Sequence, residues 1–227
     1  MTATLLSALC AYLLGSIPFG YIIGLAHGVD IREKGSGNIG ATNVFRVLGK
    51  KPGIFVFLLD MMKGLAAVRV IPQGVAMALG GAARPAAANA AEAALAAAPQ
   101  PAIAAILLCA ACVFLGHMFP LFLGFKGGKG VATGLGLAIG IAPHSALAAF
   151  ALWIVLFAAF RYVSVASIAA ALFVGVAAWF LDNSATPPNI APAVISLLAL
   201  LIIIKHKSNI KRLIAGNENR FDFSRKK

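Results

Sequence analysis

Residues 101–134 read PAIAAILLCAACVFLGHMFPLFLGFKGGKGVATG. From Pro101 to Leu121 there is no acid, lysine or arginine, and the run is long enough to cross the roughly 30 Å of hydrocarbon in a bilayer. It leads into GFKGGKGVATG, Gly124–Gly134, a glycine loop with two lysines and no acid, after which the chain turns apolar again. Apolar runs recur near Ala3–Leu25, Gly53–Ile71, Gly130–Ala142, Ser145–Phe160, Val163–Leu181 and Ile190–Ile204. Hydrophobic residues make up 61% of the chain and charged residues 11%, against about 45–50% and 25% in soluble domains. The pattern predicts an all-α, polytopic integral membrane protein with about seven transmembrane helices. Residues 1–227 form one domain, with the polar motifs in loops. The fourth run is short and ends at Pro143, so runs four and five either stand apart, merge or re-enter the membrane. The opening stretch MTATLLSALCAYLLGSIPFG has no basic n-region and is read as the first span, not as a cleavable signal.

Charge orients the spans. Sixteen of the nineteen basic residues fall in residues 26–52, in the Gly124–Gly130 loop, at Arg161, and in the tail after Ile204. With seven spans these four segments share one face, which the positive-inside rule makes cytoplasmic. The N-terminus is then outside and the C-terminus inside. This rule also accounts for the net charge of +12. No basic patch is interleaved with base-stacking aromatics, so the reading gives no nucleic-acid partner. Membrane lipid is the expected surroundings. Residues 73–100, QGVAMALGGAARPAAANAAEAALAAAPQ, read as an external, alanine-rich and partly helical connection. Cys10, Cys109 and Cys112 lie in apolar runs and read as small packing residues.

Three polar segments share the basic face. In EKGSGNIGATNVFRVLGKK, Glu33–Lys51, the residues Ser36, Asn38, Thr42, Asn43 and Arg46 are spaced by Gly35, Gly37 and Gly40. Glycines allow backbone N–H groups to approach an anion, and Arg grips phosphate bidentately. The alternative is a flexible loop with Thr42 or Asn43 capping a short helix. In the second segment, Lys126 and Lys129 flank Gly127 and Gly128 just before a helix start. That arrangement suits either a phosphate cradle or lysines beside a glycine turn. It is no Walker A loop, because Gly130 follows Lys129. The third, KHKSNIKRLIAGNENRF, places Lys205, His206, Asn209 and Arg212 along one helical face, with Gly216 at a C-cap. The alternative there is a basic helix lying on headgroups. Within the second span, Asp60 and Lys63 sit three apart in LLDMMKG and are expected to pair.

Several chemistries are missing from the sequence. No His is followed five residues later by Asp, no G-x-S-x-G is present, and no carboxylate–histidine cluster suits a metal. Phosphate-binding donors are plentiful, whereas candidate acids and bases are few. Such a site suits substrates that bring their own phosphates and a good leaving group.

The segments GSGNIGATNVFR, GHMFPLFLGFKGGKGVATG and KHKSNIKRLIAGNENRF, in that order with LLDMMKG after the first, resemble the signature motifs of the bacterial acyl-phosphate:glycerol-3-phosphate acyltransferases of the PlsY type. The resemblance spans nearly the whole chain except residues 73–100. It implies transfer of a fatty acyl group from acyl phosphate to the 1-hydroxyl of sn-glycerol 3-phosphate, giving lysophosphatidate and inorganic phosphate, with no cofactor. It implies a location in the bacterial inner membrane. By motif position it implies Ser36, Arg46, Lys129, His206 and Asn209 as catalytic contacts. Gly37, Asn38, Thr42, Asn43, Lys126, Gly127 and Gly128 follow as substrate-binding positions. Arg46 and Lys129 are expected to hold phosphate charge, Ser36 to orient the reacting groups, and His206 with Asn209 to position glycerol phosphate. The competing reading is a transporter of a phosphorylated metabolite, which would more often show internal repeats and a midplane site.

Overall fold

The computed structural model describes residues 1–80, 102–182 and 190–221. Every regular element among them is helical. In chain order these are α1 (Thr2–Ser16), α2 (Phe19–Ala26), α3 (Ala41–Leu48), α4 (Lys50–Arg69), α5 (Ile71–Gly80) and α6 (Ile103–Met118). A 3-10 turn at Leu121–Leu123 precedes α7 (Val131–Ile141), α8 (Pro143–Phe160), α9 (Val163–Leu181), α10 (Ile190–Lys205) and α11 (Lys207–Ile214).

Among the described residues, four stretches are long and apolar enough to cross a membrane: Thr2–Ala26, Ile103–Leu123, Pro143–Phe160 and Val163–Leu181. A fifth is added if α10 and α11, bent by 52°, count as one. The expected seven is therefore four or five by this measure. The α4 helix has 20 residues, but Lys50, Lys51, Asp60, Lys63 and Arg69 dilute its apolar character. The α7 helix has 11 residues, about 16 Å at 1.5 Å per residue, roughly half a bilayer core. The first span is broken at Pro18, whose ring nitrogen carries no N–H. The Lys63 ammonium fills that break by donating to Gly15 O and Ile17 O, both at 3.0 Å.

Small residues bring the helices together. A Cβ on Gly15 would lie 2.2 Å from Val113 O, and one on Gly116 would lie 2.3 Å from Tyr12 O, so α1 and α6 touch backbone to backbone. Gly64 and Gly136 do the same for α4 and α7, at 2.2 Å from Thr133 O and 1.8 Å from Met61 O. Lipid tails are as apolar as leucine, so this close packing, not hydrophobic burial, drives helix association. The core holds Phe114, Met118, Leu137 and many alanines, with Cys109 among them. The helices α8, α9 and α10 pack in succession beside it.

Two local expectations change and a third holds. The helix α3 starts at Ala41 behind an extended Gly40, so Thr42 and Asn43 lie inside it and cap nothing. Residues 73–80 belong to α5, which packs on α1, while residues 81–100 lie outside the described residues. At the end of α11, Gly216 N–H donates to Leu213 O and Asn217 N–H to Arg212 O, with φ +69° at Gly216. That is a Schellman ending, as the glycine led us to expect.

Candidate active site

A cavity of about 430 Å³ runs into the bundle from the end where the three polar segments meet. Its polar end is lined by Ser36, Asn38, Thr42, Asn43 and Arg46, by Lys129, and by His206, Asn209 and Glu218. Its remainder is mostly apolar, with Leu135, Ala138, Ala149, Phe150, Trp153, Val174, Ile195 and Leu198 on the walls, interrupted by Asp60, His117, Ser164 and Ser167.

The first loop is built around Asn43, which is buried on α3. Its Oδ1 accepts the Ser36 N–H at 2.8 Å, and its Nδ2 donates to Ile31 O and Lys34 O at 2.8 and 3.0 Å. Gly35 has φ +61° and an added Cβ would sit 2.3 Å from Asn43 Oδ1, so only glycine fits against this clamp. Asn38 Oδ1 accepts the Gly40 N–H at 2.8 Å and shapes the turn into α3. Asn38 and Asn43 thus spend much of their hydrogen-bonding capacity on the loop itself. Ser36 is exposed, and Thr42 and Arg46 are half-buried; their side chains remain at the cavity.

The second loop spends its backbone donors internally. Gly127 N–H donates to Met118 O at 3.2 Å and Gly128 N–H to His117 O at 3.1 Å. The expected cradle of glycine N–H groups is therefore occupied, and neither Gly127, Gly128 nor Gly37 lines the cavity. Lys126 is exposed and also lies off the lining. Lys129 is brought in, and its ammonium donates to Asn209 Oδ1. Burial pushes Lys129 down to about 8; Glu218 opposes the shift, while Arg212 and Arg46 add to it. A cation held this way gains from any anion that approaches it.

The third segment bends at His206. Its Nδ1 bonds Ile202 O at 2.8 Å, which sets the Nδ1–H tautomer and leaves Nε2 as an acceptor. Burial pushes this imidazole down to about 4, so it is neutral near pH 7. Sequence reasoning missed Glu218. Its Oε1 accepts from Asn209 Nδ2 at 2.7 Å and from Ser164 Oγ at 2.9 Å, and its Oε2 accepts from Arg212 Nε at 2.7 Å. Burial raises its pKa, but these donors outweigh it and hold the carboxyl below its ordinary value. The signal was present: Glu218 is the lone acid among five lysines and arginines in residues 205–221. The strand of tail behind it is fastened by Arg46 to Asn219 O and by Phe221 N–H to Arg161 O. All four basic segments therefore meet at this end of the bundle. Burial lowers the pKa of Arg46, while Glu218 opposes that shift.

At the cavity wall, Asp60 and Lys63 pair at 2.8 Å as expected, in a geometry short of a hydrogen bond. His117 Nδ1 faces the same carboxylate oxygen at 3.6 Å.

The chain matches the family model described as "Glycerol-3-phosphate acyltransferase" over residues 5–216. It is 43% identical to the glycerol-3-phosphate acyltransferase of Trichlorobacter lovleyi, covering 97% of this chain and 99% of that one. It is 42% identical to that of Aquifex aeolicus, covering 93% and 95%. Among solved structures it resembles the crystal structure of PlsY (YgiH), an integral membrane glycerol 3-phosphate acyltransferase, in its glycerol 3-phosphate form. That similarity has a TM-score of 0.76 and 39% identity over 96% of each chain. The lysophosphatidic acid form of the same protein gives 0.73 and 39%, over 96% of this chain and 95% of that one. Sequence and fold agree along nearly the full length: this chain belongs to the glycerol-3-phosphate acyltransferase family.

Proposed function

We propose that this protein transfers a fatty acyl group from acyl phosphate to the 1-hydroxyl of sn-glycerol 3-phosphate. One observation carries the reading. Cations and neutral donors from three distant segments converge on one end of a cavity whose other walls are mostly apolar. A headgroup with phosphate fits the first part and a hydrocarbon chain the second. Family membership and the two forms in which the related PlsY was crystallised support it.

In this reading Arg46 and Lys129 hold phosphate charge, with Ser36 and Thr42 as neutral donors. Neutral His206 and Asn209 orient glycerol phosphate. The 1-hydroxyl oxygen attacks the acyl carbonyl carbon, and the bond from that carbon to the phosphate oxygen breaks. The departing phosphate takes the hydroxyl proton and leaves as hydrogen phosphate, so no protein base is required. Positioning and charge stabilisation supply the rate.

Topology completes the proposal. The α4 helix, at about 30 Å by its rise per residue, spans the membrane with Asp60 and Lys63 paired inside, and the short α7 makes the fourth crossing. The seven apolar segments then place the basic face in the cytoplasm by the positive-inside rule, in the bacterial inner membrane.

The test is phosphate release by purified protein from palmitoyl phosphate. Release that depends on glycerol 3-phosphate and yields lysophosphatidate supports the reading. A folded preparation without turnover across several chain lengths overturns it. Glycerol 3-phosphate uptake into reconstituted vesicles without turnover would point to a transporter.

A further inference from the structure

Three buried ionisable residues lie apart from the convergent loops yet touch the same cavity wall. Asp60 and His117 line it, and Lys63 stands behind Asp60. Lys63 and Asp60 are each 3% exposed, and His117 is 5% exposed. Ionised groups at this depth are costly, and pairing Asp60 with Lys63 alone would neutralise both. His117 is the surplus group.

Its surroundings assign it a task. The His117 carbonyl accepts the Gly128 N–H at 3.1 Å. The imidazole lies so close to Gly128 that an added Cβ would sit 2.2 Å from Nε2. Residue 129 comes next in the chain and carries the lysine that enters the site. The ring is held in turn: Nδ1 faces Asp60 Oδ1 at 3.6 Å, and Asp60 is fixed by Lys63, which is tied to Gly15 O and Ile17 O at the α1–α2 break. A continuous path of contacts therefore runs from the broken first span to the base of Lys129.

We propose that Asp60 and His117 are positioning residues for the acyl transfer. The carboxylate orients the imidazole, the imidazole and its carbonyl seat Gly128, and Gly128 sets where the Lys129 ammonium stands. This rests on the function proposed above, and it places no bond-making step on either residue.

The experiment compares His117→Ala with Lys129→Ala, measuring kcat and the KM for each substrate, with melting temperature as a check on folding. The parent must first turn over palmitoyl phosphate with glycerol 3-phosphate. Failure there sinks the functional reading, not this one. A positioning role gives both variants one signature: KM rises for the same substrate, and the other KM stays within about twofold. kcat/KM falls about 100-fold in His117→Ala, the scale of a 1 Å misplacement. A His117→Ala protein that keeps parent kinetics, or raises both KM values equally, overturns the proposal. If His117→Ala does not fold, His117→Asn decides, because it keeps a donor towards Asp60. Parent-like kinetics, or a KM rise confined to the Lys129-dependent substrate, supports the pair. A folded His117→Asn with both KM values raised overturns it.

Discussion

The two glycine loops look alike in sequence and are built by different means. In the first, GSGNIG, a side chain does the fastening: Asn43 binds the backbone of Ser36, Ile31 and Lys34. In the second, GFKGGKG, the backbone fastens itself: Gly127 and Gly128 bond the carbonyls of Met118 and His117. Gly35 is required by its positive φ and Gly128 by the ring against it. The first loop thereby presents Ser36, Thr42 and Arg46, while the second presents a single lysine. Gly35 and Gly128 each act as a close-packing surface for a clamp residue, Asn43 and His117 respectively. The N–H groups of Ser36, Gly127 and Gly128 are spent within the protein, while the side chains of Ser36, Thr42, Arg46 and Lys129 line the cavity.

Substitutions in the clamps probe this contrast most strongly. Gly128→Ala forces a methyl group into the buried His117 ring, and kcat/KM should fall about 100-fold. A Gly128→Ala protein with parent kinetics would show that the second loop is not held by this contact. Asn43→Ala leaves the Ser36 N–H and the Ile31 carbonyl without this partner, each worth about 1–3 kcal/mol when buried, while Lys34 O keeps the Gly37 N–H. Activity should fall about 30-fold with a lowered melting temperature, since Asn43 is the clamp between Ser36 N–H and Ile31 O. An unchanged melting temperature would contradict that difference.

A pH profile sharpens the comparison further. Lys129 titrates near 8 in the free protein, below the ordinary lysine value, so its charge is full below that pH and is lost as pH rises through it. kcat/KM should drop about tenfold from pH 7 to pH 9, reporting the free enzyme. The profile of kcat should turn down at higher pH, because bound phosphate holds the proton on. An acid limb centred near neutrality and removed by substituting His206 would contradict a neutral His206. The smallest effect belongs to Glu218→Gln, which keeps the shape and an acceptor for Asn209 but loses the charge. A loss of about tenfold, the scale of one charge-assisted bond, should appear and be accompanied by a shift of the Lys129 limb towards lower pH.

Much of this was legible in the sequence. Apolar length alone located the long helices, and Val163–Leu181 matches its helix residue for residue. Candidate site residues were legible because few polar residues stand in so apolar a chain. Ser36, Arg46, Lys129, His206 and Asn209 all line one cavity. Other features depend on tertiary neighbours that a linear reading does not contain. Lys126 and Lys129 are three apart in one loop, yet only the path set by Met118, His117 and Gly128 decides which one enters. Glu218 gains its role only when the tail folds back onto Asn209, Arg212 and Ser164. The broken first span was hidden because Pro18 lies in an otherwise apolar run, and its repair comes from Lys63, 45 positions later.

The most direct test sets the two lysines of the second loop against each other. Glycerol 3-phosphate-dependent phosphate release would be measured for Lys129→Ala and Lys126→Ala at equal folded concentration. Lys129→Ala should lose about 100-fold or more, the scale of removing one charged group from a transition state, while Lys126→Ala stays within about twofold of the parent. Equal losses, or a greater loss for Lys126→Ala, would contradict the account that the second loop delivers one lysine and uses its glycines only to place it.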